Sequence, residues 1–162
     1  AFFTMSEKSR FTQKRFCCEL ISQEEIVLCA PKNGHYELLS KDEPGRKYPW
    51  IDLKYLENDC FLTLKKKMRL GQLASEILES HAISPRIAEL STIDTVLSLV
   101  AQEYGVAFAS SFRIEKHETA DKISFFSFGE RPEVWDFVAA YKQDYLVSQP
   151  ARFLINLVGA LY

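Results

Sequence analysis

The chain has 162 residues, of which 47% are apolar and 26% are charged, a balance typical of one globular domain or two small lobes. Its formal net charge of −2 argues against nucleic-acid binding by this chain alone, because phosphate backbones require a clustered positive surface. No apolar run reaches the roughly 18 residues of a transmembrane helix. The first residues, "AFFTMSEKSR", lack the pattern of a signal peptide.

The four cysteines, Cys17, Cys18, Cys29 and Cys60, have no CxxC spacing and no histidine at metal-ligand distance along the chain. Cys29 and Cys60 lie in strand-like apolar runs, where a reduced cysteine behaves as a small hydrophobe. We therefore expect free thiols in a reducing cytoplasm, with no metal and no cofactor.

Both ends of the sequence are apolar. It opens on "AFFTM", which predicts a buried strand, and closes on "RFLINLVGALY", which predicts an amphipathic helix beginning near Pro150. A domain rarely begins and ends on unpartnered apolar elements, so we expect a fragment of a longer polypeptide.

The first third predicts mainly strands. After the opening strand, "FCCELIS" and "EEIVLCAP" predict two strands joined through Gln23 and Glu24. The Gly-, Pro- and charge-rich segment that follows predicts a loop with one short helix. "WIDLKYLEND" then predicts a short helix and "CFLTL" a strand.

The middle of the chain contains two clear helical patterns. In the first, apolar residues recur at helical spacing: Leu70, Leu73, Ala74, Ile77 and Leu78. The second has one apolar face: Ile93, Val96, Leu97, Val100, Ala101 and Tyr104. We expect Gly105 to end this helix with a positive φ angle.

Strands and helices therefore alternate from about residue 60 to residue 111. This order predicts an α/β fold with a mostly parallel sheet covered by helices. In such sheets ligands bind beyond the carboxyl ends of the strands, at the start of helices.

Hydroxyl side chains occupy two of these positions. Ser91 followed by Asp94 fits a capping box at the start of the second helix, and we favour capping as the role of Ser91. Thr92 and Thr95 are candidates to face a cleft. Ser110 and Ser111 lie at the carboxyl end of the strand "VAFAS".

A basic segment, "LTLKKKMRLG", precedes the first helix. Its cations oppose the positive end of the helix dipole, where acidic residues are normally found, so with free backbone amides they predict an anion site. The alternative interpretation, that these lysines are simply solvated on a loop, has equal weight. Thr63 ends the preceding strand, and Thr4 and Ser6 end the first one.

No catalytic site is predicted. The chain has no GxSxG, P-loop or GxGxxG motif, and His35, His81 and His117 stand alone. The run "RIEKHETADK" predicts a solvated surface.

The order of these segments resembles a known family, the effector-binding domains of LysR-type transcriptional regulators, whose fold is similar to type 2 periplasmic binding proteins. The segments "EEIVLCAPKNGHYELLSK", "IDLKYLENDCFLTL" and "ASEILESHAISPRIAELSTIDTVLSLVAQEYGVAFASS" carry the resemblance. Where the family commonly has Gly-x-Gly, this chain has Glu103 and Gly105.

The resemblance implies two Rossmann-like lobes, the first incomplete here. Residues 1–12 would form the last strand of lobe I and a crossover, 13–132 lobe II, and 133–162 the return crossover and final helix. A small anionic effector would bind between the lobes. The implied effector contacts are Thr4, Ser6, Thr63, Lys65, Lys66, Lys67, Met68, Arg69, Thr92 and Ser110.

The resemblance also implies partners and a location. The protein would form a dimer or tetramer, with the helix over 70–79 as a candidate contact. It would reach DNA only through an absent winged helix-turn-helix, and would act in the cytoplasm without membrane contact. The alternatives are a periplasmic-type solute-binding protein, a non-catalytic dimerisation module, or an enzyme that depends on a residue such as Cys60 or His81.

Overall fold

We analysed a computed structural model of the chain, which describes residues 1–6, 16–144 and 146–161; the side chains of residues 3–6 lie outside this description. The described residues divide into two compact units. Unit 1 comprises residues 1–25 and 134–162, and unit 2 comprises residues 26–133. The predicted lobe boundary at residues 12 and 13 lies outside the described residues.

Seven strands and five α-helices form the described fold. The strands are β1 (Phe2–Ser6), β2 (Phe16–Pro31), β3 (Cys60–Leu64), β4 (Arg86–Leu90), β5 (Ala107–Ser110), β6 (Ile123–Phe126) and β7 (Glu133–Lys142). The helices are α1 (His35–Leu39), α2 (Arg69–Ser80), α3 (Ile93–Val100), α4 (Ser111–Glu115) and α5 (Gln149–Leu161). Short 3₁₀ helices cover Leu53–Leu56 and Ala120–Lys122.

Unit 1 is built on antiparallel pairing. β1 pairs with β7, placing Thr4 opposite Phe137 and Ser6 opposite Trp135. In α5 the side chain of Ile155 is buried. An ion pair of 2.6 Å between Arg152 and Glu19 ties this helix to β2.

The prediction of two strands between residues 16 and 31 is wrong, because β2 is continuous. The junction "SQEE" contains none of the Gly, Pro, Asn or Asp residues that favour a turn. The Glu24 side chain at this junction is buried.

In unit 2, β3 and β4 pair in parallel, with Leu64 opposite Leu90. A parallel bridge joins Phe61 to Val106, just before β5. β5 and β6 each pair antiparallel with β2. The α/β fold class is confirmed, but the described pairing is mixed rather than mostly parallel, because β2 runs against its neighbours in this unit.

One face of this sheet packs on α3 and α4. The core between the sheet and these helices contains mostly branched and small buried side chains: Val27, Cys29, Leu62, Leu64, Val96, Leu97, Val100, Ala107, Ala109, Ile114 and Ile123. Alternation along β3 then sends Phe61 and Thr63 to the opposite face. There α2 buries Ala74, Ile77 and Leu78, as its apolar spacing predicted, and also Gly71.

The end of α3 differs from the prediction. The helix ends at Val100, and the side chain of Tyr104 is 64% exposed rather than on the buried face. The positive φ belongs to Glu103, at 65°, and not to Gly105. Gly105 is needed for another reason: a Cβ atom there would overlap the carbonyl oxygen of Cys60.

Candidate functional site

The ends of three neighbouring strands define one edge of unit 2. β3, β4 and β5 run in the same direction, so their carboxyl ends meet there, and α2, α3 and α4 begin there. We call this the carboxyl edge and define it by residues 63–69, 91–94 and 110–113. Eight of the predicted effector contacts fall on it: Thr63, Lys65, Lys66, Lys67, Met68, Arg69, Thr92 and Ser110.

The basic loop, residues 65–69, has a fixed backbone and exposed side chains. The amide of Lys65 donates to the carbonyl of Leu90 over 3.2 Å, and the amide of Met68 donates back to Lys65 over 2.8 Å. The side chains of residues 65–69 are nevertheless exposed. The loop therefore presents its cations from a backbone that is tied to the end of β4.

The helix that starts here lacks the usual polar cap. Met68 is the N-cap of α2 and provides no side-chain acceptor, and the first turn contains no acidic residue. The first amides of a helix carry partial positive charge and need acceptors. Partial burial lowers the pKa of the Arg69 guanidinium, against the opposing effect of Glu76. This terminus concentrates positive charge.

Gly71 allows α2 to start so close to β3. A Cβ atom at this position would overlap the carbonyl oxygens of Leu64 and Lys65. The sequence pattern gives no sign of this role, because a glycine inside a helical pattern usually only weakens the helix. Thr63, directly before this contact, is 8% exposed.

The two hydroxyls at the other helix starts act as caps. Thr92 Oγ1 accepts from the amide of Thr95 over 3.2 Å and lies 2.8 Å from Thr95 Oγ1. Ser110 Oγ accepts from the amide of Arg113 over 3.3 Å. The capping role predicted for Ser91 is wrong by one residue, because the N-cap of α3 is Thr92.

Asp94 takes part in a cluster that the sequence did not reveal. Instead of closing a capping box, its carboxylate accepts from Arg113 Nη2 at 2.8 and 3.1 Å. His117 Nε2 lies 3.6 Å from the same carboxylate. These residues, with Lys116 and Glu118, line a cavity of about 310 Å³.

The prediction of a solvated surface for residues 113–122 is therefore wrong in part. Ile114 is fully buried and the His117 side chain is only 8% exposed. Spacing offered little sign of this, since α4 is one short turn of helix. The signal lay in the pairing of Asp94 with Arg113, which are 19 residues apart.

His81 has a structural role. His81 Nδ1 bonds to the carbonyl of Ile77 over 2.8 Å, and its ring packs edge-on against Phe128. Cys29 is fully buried, and burial raises the pKa of its thiol. In residues 1–6, 16–144 and 146–161, no disulfide joins any of the four cysteines, and no group of three or more potential ligands is arranged to hold a metal ion.

The two remaining predicted contacts, Thr4 and Ser6, lie in β1 of unit 1. Their side chains are outside the described part of the chain. Within the described helices, none combines the length and apolar character needed to cross a bilayer.

Comparisons with known proteins agree on one family. The family model for the LysR substrate binding domain matches residues 2–161. No curated protein matched the chain. The fold is similar to the Synechocystis PCC6803 CcmR regulatory domain in complex with 2-PG, with a TM-score of 0.75 and 13% identity over 99% of this chain and 72% of that one.

Two further structures show the same fold. The effector-binding domain of QuiR in complex with shikimate has a TM-score of 0.64 and 16% identity over 99% of this chain and 70% of that one. A LysR family regulator of Pseudomonas aeruginosa has a TM-score of 0.71 and 16% identity over 99% of this chain but 52% of its own. Because the family model spans nearly the whole sequence, the chain belongs to the LysR substrate-binding domain family, whose members are non-catalytic, ligand-sensing regulatory domains.

Proposed function

We propose that this domain senses a small anionic effector at the basic loop of unit 2. One observation carries the proposal: α2 begins without a side-chain cap or an acid, at a point where three lysines and an arginine are exposed. Backbone amides and cations that converge on a helix start suit a carboxylate, sulfate or phosphate group. Reversible sensing requires only that the effector favours one state of the protein over another.

The proposed contacts differ in what they supply. Lys65, Lys66, Lys67 and Arg69 would supply charge, and Thr63 a hydroxyl beside the helix start. Thr92 and Ser110 already cap helices, so each hydroxyl would have to contact the effector while its oxygen still accepts from a helix amide. Met68 would provide apolar contact.

Thr4 and Ser6 are proposed as effector contacts on the resemblance alone. They are tested separately from the basic loop, by Thr4→Val and Ser6→Ala. In the same way we infer that the chain self-associates, and that it reports effector binding to a winged helix-turn-helix outside this sequence. Contact with DNA would place the regulator in the cytoplasm.

The first prediction concerns binding at the basic loop. The probes are phosphate, sulfate, citrate and shikimate, and their binding is measured by thermal shift and by calorimetry. A probe that binds only the folded state raises the melting temperature with concentration. We expect the double variant Lys65→Ala/Lys66→Ala to weaken binding about tenfold, since each exposed charge contributes up to about 1 kcal/mol.

The matched control is Lys54→Ala, which removes an exposed lysine from the 3₁₀ helix before β3. We expect it to leave binding unchanged, and added salt to weaken binding to the parent chain. Binding that survives the double variant would contradict the anion site. An apolar probe that binds while no anion does would contradict the effector class.

A further inference from the structure

The cavity beside α4 is distinct from the basic loop. It lies where the start of α3 meets the residues that follow α4, on the sheet face covered by these two helices. Its lining combines two cations, Arg113 and Lys116, with two carboxylates, Asp94 and Glu118, and one histidine.

Two contacts with Thr119 hold the histidine ring. The amide of Thr119 donates to His117 Nδ1 over 3.3 Å, and Thr119 Oγ1 lies 2.8 Å from the same nitrogen. With Nδ1 accepting from the amide, a neutral ring carries its proton on Nε2, which faces Asp94. The distance of 3.6 Å to the carboxylate exceeds a normal hydrogen bond, and the ring is more than nine-tenths buried. His117 Nε2 thus faces the cavity without a normal hydrogen bond to Asp94.

The arginine is held and still has donors to offer. Both contacts with Asp94 pass through Nη2. The Nε–H and Nη1–H groups that remain point in different directions, and each can donate a single hydrogen bond to a ligand carboxylate without breaking the first pair. The ion pair with Asp94 therefore leaves donors for a ligand.

We propose that this cavity binds a small zwitterion of the α-amino-acid class. Its carboxylate would accept from Arg113 and from His117 Nε2–H, and its ammonium group would pair with Asp94 or Glu118. The two cations and two carboxylates of the lining balance in charge, which disfavours a simple anion or cation but suits a ligand that carries both signs. A volume near 310 Å³ is of the right order for such a molecule.

The test is an NMR titration of the 162-residue chain, with backbone amides observed. The probes are L-alanine as the zwitterion, acetate as the anion and methylammonium as the cation. We expect L-alanine to shift the amides of Asp94, Arg113 and His117 in a saturable way, at concentrations where acetate and methylammonium do not. Asp94→Asn and Arg113→Gln should each weaken binding about fivefold.

Two variants serve as controls for lost charge, Asp42→Asn and Arg131→Gln, which change exposed residues away from the cavity. Equal binding of acetate and L-alanine at the cavity would overturn the zwitterion class. No saturable shift at these three amides would overturn the site, as would full binding in both cavity variants. Shifts confined to residues 65–69 would also overturn it, while supporting the anion site at the basic loop.

Discussion

At the residue scale, the clearest departure from expectation is Glu103. The family pattern commonly has glycine here, and the structure shows why, since Glu103 adopts a φ of 65°. This left-handed region costs a residue with a Cβ atom about 1 kcal/mol relative to glycine. The turn after α3 therefore forms with Glu103 in an unfavourable backbone conformation.

The second prediction follows from this angle. Glu103→Gly should raise the free energy of unfolding by about 0.5–1 kcal/mol. The greater conformational entropy that glycine gives the unfolded chain offsets part of this gain. The measurement is urea unfolding followed by circular dichroism. Glu103→Ala is the control, because it removes the carboxylate but keeps the Cβ atom. Equal gains in the two variants would show that charge, and not backbone strain, is responsible.

At the element scale, the start of α2 depends on a close backbone contact. The third prediction is that Gly71→Ala lowers the free energy of unfolding by about 3 kcal/mol, because its methyl group meets two rigid carbonyls. It should also weaken any ligand of the basic loop, whose backbone would have to move. Both effects are measured by urea unfolding and by the anion titration.

Gly159→Ala is the matched control. Gly159 also lies in a helix, α5, but a Cβ atom there would make only an ordinary contact with Ile21. We expect this variant to be neutral or more stable by up to about 0.5 kcal/mol. If Gly71→Ala were equally harmless, the close approach of α2 to β3 would be refuted.

Elements were the level at which sequence patterns worked best. The apolar spacing of α2 and the alternation of β3, α2, β4, α3 and β5 are confirmed. The errors came from effects that spacing does not contain. β2 continues through buried Glu24, and α3 stops at Val100 although Tyr104 continues its apolar face.

At the scale of the whole molecule, the stability of unit 2 is linked to pH through Glu115. Hydrogen bonds from Lys47 Nζ and then Tyr48 Oη, both 2.7 Å, lower the pKa of this carboxyl below its usual value. A lowered pKa contributes stability above the pKa of the unfolded chain, and this stability is lost as the pH falls through the lower folded value.

The fourth prediction is a difference in acid sensitivity. Between about pH 7 and about pH 3.5 the parent chain should lose more stability than Glu115→Gln, by less than about 1 kcal/mol, because the pair is half exposed. Urea midpoints at the two pH values give the comparison. Glu57→Gln controls for the loss of an exposed carboxylate. A parent and a Glu115→Gln variant with identical pH profiles would rule out the linkage.

The candidate sites show why sequence reaches some residues and not others. The basic loop was found because four cations are consecutive or nearly so and precede a helix. The cavity residues Asp94 and His117 were missed because they are brought together by a cap that shifted to Thr92 and by a five-residue helix. Such proximity depends on tertiary packing, which one sequence does not display.

The basic loop also has an evolutionary consequence. Its path is set by main-chain hydrogen bonds from Lys65 and Met68, which any residue except proline can make. Side chains at positions 65–67 are therefore free to change with little effect on folding. A lineage could exchange one effector for another through point mutations there, while position 71 would remain closed to every residue but glycine.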